Sequence, residues 1–434
     1  MSTHPAAAPR VHYAWIVAGI TFVTLLAAAG IRATPGVLIV PFEHEFGWTR
    51  ATISLAVSVN LILYGLMGPF SAALVDRLGA RTTMICAMVI LGIGVSLTSL
   101  MTASWQLVLL WGIVVGAGSG MIALALAATV VNRWFAERRG LVMGALTAST
   151  ATGQLIFLPF LAMIIESYGW RPAVLTIAGI GLLTLLPITL FMRNRPDDLG
   201  LARYGQAGTP PAAPPHLGNP VLAALETLGQ GLRSRDFWLL AASFFICGLS
   251  TNGLIGTHLI PACIDQGIPE VMAASLLALM GVFDFIGTTA SGWLSDRWNN
   301  NYLLCWYYGL RGLSLLFLPL ALAHPGLGLT AFAVFYGLDW IATVPPTLRL
   351  TANVFGREQA GMMFGWIVAS HQVGAAVASF GAGAIRTYIG DYFDAFMISG
   401  LACLVAAGLV LLIGRRRVRR DEVPAEGAAA PARA

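Results

Sequence analysis

The sequence predicts an all-α membrane protein of twelve transmembrane helices, arranged as two pseudo-symmetric six-helix bundles. Three observations lead there: an apolar composition, twelve apolar runs of spanning length, and a lopsided distribution of arginine. Of the 434 residues, 57% are hydrophobic and 10% charged, with a mean hydropathy of +0.77. A soluble domain carries roughly 25% charge.

A bilayer core about 30 Å thick takes about 20 apolar helical residues to cross. Such runs begin near Ala14, Ala51, Thr82, Trp105, Gly140 and Trp170, and again near Phe237, Val271, Tyr302, Leu327, Gly361 and Tyr392. The first run has Arg10 ahead of it and Ala27-Ala28-Ala29 inside it, as a cleaved leader would. It stays apolar to Val40, which favours a span. The fourth repeats glycine at Gly112, Gly116 and Gly120, a spacing that lets helices approach closely. Trp15, Trp48, Trp105 and Tyr392 stand at run ends, where aromatic rings anchor to the interface. The longest hydrophilic stretch divides the runs six and six. The predicted organisation is therefore a first bundle over 1–192, a linker over 193–236, a second bundle over 237–414 and a basic tail over 415–434. Thr209 to Pro215 reads as a stiff extended segment. Val221, Leu222, Leu225, Leu228 and Leu232 then fall at helical spacing, which fits a short surface helix as well as a plain linker.

Every basic residue is arginine. Nineteen arginines fall in loops on one side, against Arg50, Arg171 and Arg386 on the other. The positive-inside rule then puts both termini in the cytoplasm, and a bacterial inner membrane is the expected location. Without lysine there is no P-loop and no Schiff base, so no ATP engine of that type and no pyridoxal or retinal chemistry. The five cysteines lack paired spacing. Metal-spaced histidine pairs and a nucleophile elbow are missing as well. No enzyme activity, cofactor, metal or nucleic-acid partner is expected. The expected partners are the lipid bilayer, a small molecule and protons, for a chain acting as a monomer.

Sliding the sequence by 220 residues sets Gly36 and Pro41 on Gly256 and Pro261, Asp76-Arg77 on Asp296-Arg297, Phe135 on Phe355, and Tyr168 on Tyr388. The matches fall at equivalent points of the topology, as a duplicated six-helix unit requires.

Ala72, Leu74, Asp76, Arg77, Gly79 and Arg81 resemble the G-x-L-x-D-R-x-G-R-R loop of the major facilitator superfamily, with Ala72 and Ala80 as departures. A second copy runs Gly292, Leu294, Asp296 and Arg297, with Asn299 where glycine is usual. Arg133 to Gly144 is similar to the start of helix five in the monocarboxylate and oxalate:formate branch. His258-Leu259-Ile260-Pro261 with Gly267-Ile268 is similar to its end of helix seven. The glycine-proline motif of drug-proton antiporters is absent: Gly153 precedes Gln154. The resemblance implies a secondary transporter working by alternating access, with proton-coupled movement of a small organic anion. Two departures bear on the anion. Thr288 stands where that branch has a helix-eight arginine, and His371 where oxalate transporters have a helix-eleven lysine. Carriage or export of another small solute and a non-transporting sensor are the competing readings.

An ionisable group at mid-bilayer costs roughly 2.5–3.5 kcal/mol, so each needs a partner or a wet cavity. Counting along the runs puts Asp284, Arg311, Asp339 and His371 near the midplane and Arg32 somewhat outward, with His258 and Arg349 nearer run ends. Arg311 with Asp284 and Asp339 reads as a structural ion cluster. Asp339, Asp284 and His371 are also the candidates for proton coupling. For substrate the candidates are Arg32, His371, His258 and Asp339. A guanidinium offers a carboxylate two parallel hydrogen bonds; for Arg32 the alternative is snorkelling to the surface. Two arginines and two aspartates balance, so a proton on His371 leaves one positive charge, matching a monoanion. Asp76, Arg77, Arg81, Arg138, Arg139, Asp296 and Arg297 gather on the arginine-rich side, where ionic contacts are expected to latch the outward-open state.

Overall fold

The computed structural model describes residues 12–122, 124–206 and 220–414; a few side chains inside its helices, including those of Asp76, Gln154, Arg357 and Glu358, lie outside the description. Arg10, the proline-rich part of the linker and the basic tail also fall outside the described residues.

Among the described residues twelve long helices follow in order: α1 (Tyr13–Phe46), α2 (Arg50–Leu78), α3 (Ala80–Thr98), α4 (Ser104–Trp134), α5 (Arg139–Tyr168), α6 (Trp170–Phe191), α7 (Arg235–Asp265), α8 (Glu270–Ser295), α9 (Asn300–Ala323), α10 (Leu327–Phe355), α11 (Arg357–Tyr388) and α12 (Phe393–Val410). Eleven contain an apolar window long enough to cross a bilayer, and α5 runs for 30 residues. No strand occurs among the described residues; the one extended pairing is an isolated bridge between Phe135 and Tyr204. Between the halves, Pro220–Leu232 is helical, so the leucine spacing there does mark a helix. Trp366 donates its indole N–H to the Ala224 carbonyl at 2.9 Å, which seats this linker helix on α11.

Local chemistry sets the breaks. Thr49 caps α2 by accepting the Thr52 N–H. Gly79, at φ +81°, turns the chain between α2 and α3 in a conformation that side chains resist. The second copy of this loop does without it: Asn299 stays extended and caps α9 through the Asn301 N–H. That is how the second half tolerates its departure from the motif. In α10, Pro345 and Pro346 lack the N–H donors that the carbonyls of Ile341 and Ala342 would otherwise meet, and the helix opens into a turn over Trp340 to Thr343. Ser291 on α8 takes up the freed Ala342 carbonyl at 2.5 Å.

The halves pack by symmetry-related pairs, α2 along α11 and α5 along α8. Gly36 and Gly256, 220 residues apart, meet where α1 crosses α7: a methyl on Gly36 would lie 3.2 Å from the Gly256 carbonyl. Glycine also sets the contacts within each half. Gly112, Gly116 and Gly120 of α4 face Ala56, Asn60 and Met67 of α2, as their spacing predicts. Gly248 and Gly253 of α7 lie against the backbone of His371 and Ala375 on α11, and Gly374 answers against Phe245.

Candidate functional site

A cavity of about 270 Å³ lies between the halves. Arg32, Asn60 and Tyr64 reach it from the first half; Asn252, Asp284, Trp340, Phe364, His371 and Gln372 reach it from the second. Asn252 is presented by a π-helical stretch of α7, Leu249–Ile255, a widened turn that is frequent at functional sites.

Arg32 sits in the last turn before α1 breaks at Thr34 and Pro35. Its guanidinium carbon lies 4.8 Å from the centre of the Tyr64 ring. Among the described residues no protein acceptor meets its N–H groups and no carboxylate pairs with it. It is half-buried in the cavity wall, so it is neither neutralised by the protein nor turned to the lipid.

The remaining midplane charges separate into two sets. Arg311 is 1% exposed and donates to Asp339 Oδ2 at 2.6 Å, to Cys247 Sγ at 2.9 Å, and to the carbonyls of Asp339 and Trp340 at 2.5 and 3.3 Å. Those carbonyls are available because α10 opens there. Neither Arg311 nor Asp339 reaches the cavity, so Asp339 does not stand among its polar groups as expected. Asp284 is not ion-paired with Arg311. It accepts the Thr288 hydroxyl and the Ile341 N–H, both at 2.9 Å, and faces the cavity. The expected cluster of three is therefore a pair, with Asp284 drawn away by the N–H that the α10 turn frees. His371 lines the cavity with its ring 5.0 Å from that of Phe244, and its Nδ1 is buried without a partner. The Gln372 Oε1 next to it is also unpartnered.

His258 belongs elsewhere. It is fully buried, bonded to the Ser379 carbonyl at 2.7 Å and to the Tyr392 hydroxyl at 3.1 Å, and does not line the cavity. Tyr392 leads to a network on the arginine-poor face that spans both halves. Arg50, 4% exposed, donates to both oxygens of Asp265 at 2.7 and 2.6 Å, to Glu43 at 2.8 Å and to Tyr392 at 3.1 Å. Arg386 adds a 2.7 Å bond to Asp265. Sequence reasoning missed Glu43 and Asp265, and it took Tyr392 for an interfacial anchor, whereas its ring is buried and its hydroxyl joins Arg50 and His258. The available signal was that Arg50 and Arg386 are two of three arginines on a face otherwise without them.

The arginine-rich face differs. Asp296 pairs with Arg349, both about half exposed and within the second half. Arg297 stacks on Trp293 at 4.3 Å. Arg81 donates to the Thr189 carbonyl at 2.5 Å and Arg139 to the Phe135 carbonyl at 2.7 Å. Arg77 and Arg138 are exposed, Arg138 with φ +57°, and the Asp76 side chain lies outside the described residues. Among the described residues no ion pair crosses the halves on this face. The crossing pair is Arg50–Asp265, on the other.

These features agree with comparisons to known proteins. The chain is 26% identical to monocarboxylate transporter 12-B of Danio rerio, over 92% of this chain and 86% of that one. It is 25% identical to monocarboxylate transporter 13 of Rattus norvegicus over 94% and 91%, and 26% identical to the uncharacterized MFS-type transporter YcxA of Bacillus subtilis over 92% and 94%. The fold matches the crystal structure of a D-xylose-proton symporter with a TM-score of 0.72 at 15% identity, covering 93% of this chain and 98% of that one. With the family model for the Major Facilitator Superfamily matching residues 20–379, and with paired helices related by a 220-residue repeat, the chain belongs to that superfamily of membrane transporters.

Proposed function

We propose that this transporter moves a small organic anion, monocarboxylates first, together with a proton by alternating access. The observation that carries the reading is the unpaired Arg32 guanidinium in a cavity shared by both halves. A cation there is stabilised by a counter-ion, and among the described residues no carboxylate forms an ion pair with it. Because Arg311 and Asp339 cancel, the cavity's charge rests on Arg32, Asp284 and His371. With Asp284 ionised and His371 neutral the sum is zero. One proton on either leaves a single positive charge, which one monoanion balances. The relatives named as monocarboxylate transporters support the same class. By the positive-inside rule the arginine-rich face is cytoplasmic, so the Arg50 network seals the outer side.

The test is uptake of lactate and pyruvate into liposomes under an imposed inward proton gradient. Uptake is expected to collapse with a protonophore. Arg32→Gln is expected to raise the half-saturating concentration at least about 100-fold, from two charge-assisted hydrogen bonds worth ~1.5–3 kcal/mol each. His371→Ala is expected to flatten the dependence on external pH. Wild-type affinity in Arg32→Gln would overturn the anion site; a full pH dependence in His371→Ala would remove that histidine from coupling.

A further inference from the structure

The cavity is larger than a three-carbon acid requires. Its volume is about 270 Å³, whereas a dry cavity of about 150 Å³ holds one benzene, and a water occupies about 30 Å³. There is room for a six-membered ring and a short chain ending in a carboxylate. A lactate-sized ion leaves more than half of that space to water. The cation and most of the rings stand in different halves, while Asn252, Asp284, His371 and Gln372 give the second half a polar lining as well. The unpaired cation, Arg32, comes from the first half, beside Tyr64. The aromatic side chains Phe244, Trp340 and Phe364 come from the second, with the Phe244 and Phe364 rings 5.8 Å apart.

Resting on the anion reading above and narrowing it, we propose that the cargo is a monocarboxylate with an aromatic ring or a branched body of similar size. Its carboxylate lies on Arg32, and its ring lies among Phe244, Trp340 and Phe364. Such a molecule touches both halves at once and is held best when both walls face it. A ligand shifts a conformational equilibrium only by its difference in affinity between states, and a body spanning the two halves supplies that difference.

The experiment uses the full chain in liposomes, with labelled 3-phenylpropionate and labelled lactate as alternative cargoes and unlabelled phenylalanine as competitor. Phenylpropionate is expected to half-saturate at least tenfold below lactate, the least that one added apolar group gains in a fitted pocket. Phe364→Ala and Trp340→Ala are expected to raise the phenylpropionate value at least tenfold more than the lactate value. Phe364→Leu, which keeps most of the side-chain volume, is expected to show a smaller shift in the same direction should the alanine variants fail to fold. Equal or better use of lactate, or equal shifts for both acids, overturns this inference and leaves the anion reading standing. Stronger competition by phenylalanine than by unlabelled phenylpropionate also overturns it, because an ammonium group is then recognised. Uptake of neither acid, with no thermal stabilisation by either, overturns both readings.

Discussion

Arg311→Met is expected to destabilise the protein by about 3–5 kcal/mol, the usual cost of removing one partner from a buried ion pair. Arg311 is the main donor to Asp339, which keeps a second oxygen buried and unpartnered even with the arginine in place. It also satisfies two carbonyls where α10 opens. Removing it leaves a bare carboxylate and two orphaned acceptors in an apolar bundle. The double variant Arg311→Met with Asp339→Leu is expected to regain much of the loss, since well-packed apolar replacements of a whole pair are often neutral. Thermal unfolding in detergent, followed by tryptophan fluorescence, checks both. A single variant as stable as wild type, or a double variant no better than the single, contradicts the account. Neither side chain lines the cavity, so the double variant is expected to keep its anion affinity.

Arg50→Ala is expected to unseal the arginine-poor face. Its guanidinium joins Glu43 of the first half to Asp265 and Tyr392 of the second, almost entirely out of water. Losing it forfeits the cross-half bonds and crowds two carboxylates. A penalty of about 3–5 kcal/mol, at about 1.4 kcal/mol per tenfold, shifts a two-state population by about two to three and a half orders of magnitude. Cys263 is a native reporter, because it is fully buried and two residues from Asp265. In wild type it is expected to resist a water-soluble maleimide; in Arg50→Ala it is expected to react. Arg50→Lys is expected to fall between, because an ammonium keeps the charge and loses the two-pronged fit. Unchanged labelling of Cys263 in the alanine variant would sink the idea. The half-exposed Asp296–Arg349 pair makes a useful contrast, since such pairs contribute about 0–1 kcal/mol: Arg349→Ala is expected to leave Cys263 protected.

Much of this was legible in the sequence because bilayer crossing imposes a length and polarity that local residues must satisfy. The spans, the repeat and the α4 glycines follow from that. Arg311 and Asp339 were legible as partners because charge is so rare in the apolar runs. Asp284 is misgrouped with them because its donors are the Thr288 hydroxyl and the backbone N–H of Ile341, which is free where α10 opens into a turn. No side-chain pattern announces such a donor. His258 stands among the candidate substrate groups in the sequence reading, yet its partners Ser379 and Tyr392 lie 121 and 134 residues away. The Arg50 network was hidden for the same reason: its members are each ordinary loop-edge residues until two halves close upon one another.

The meeting of Gly36 with Gly256 has a mechanical consequence. A see-saw needs one place where its arms neither part nor collide, and contacts farther from that place must open wider for the same tilt. At this crossing a methyl on Gly36 would stand 3.2 Å from the Gly256 carbonyl and 3.7 Å from the Ile260 side chain, so the bare glycine is what leaves the gap. A fulcrum of that kind tightens with the smallest wedge, the methyl of a single alanine at position 36.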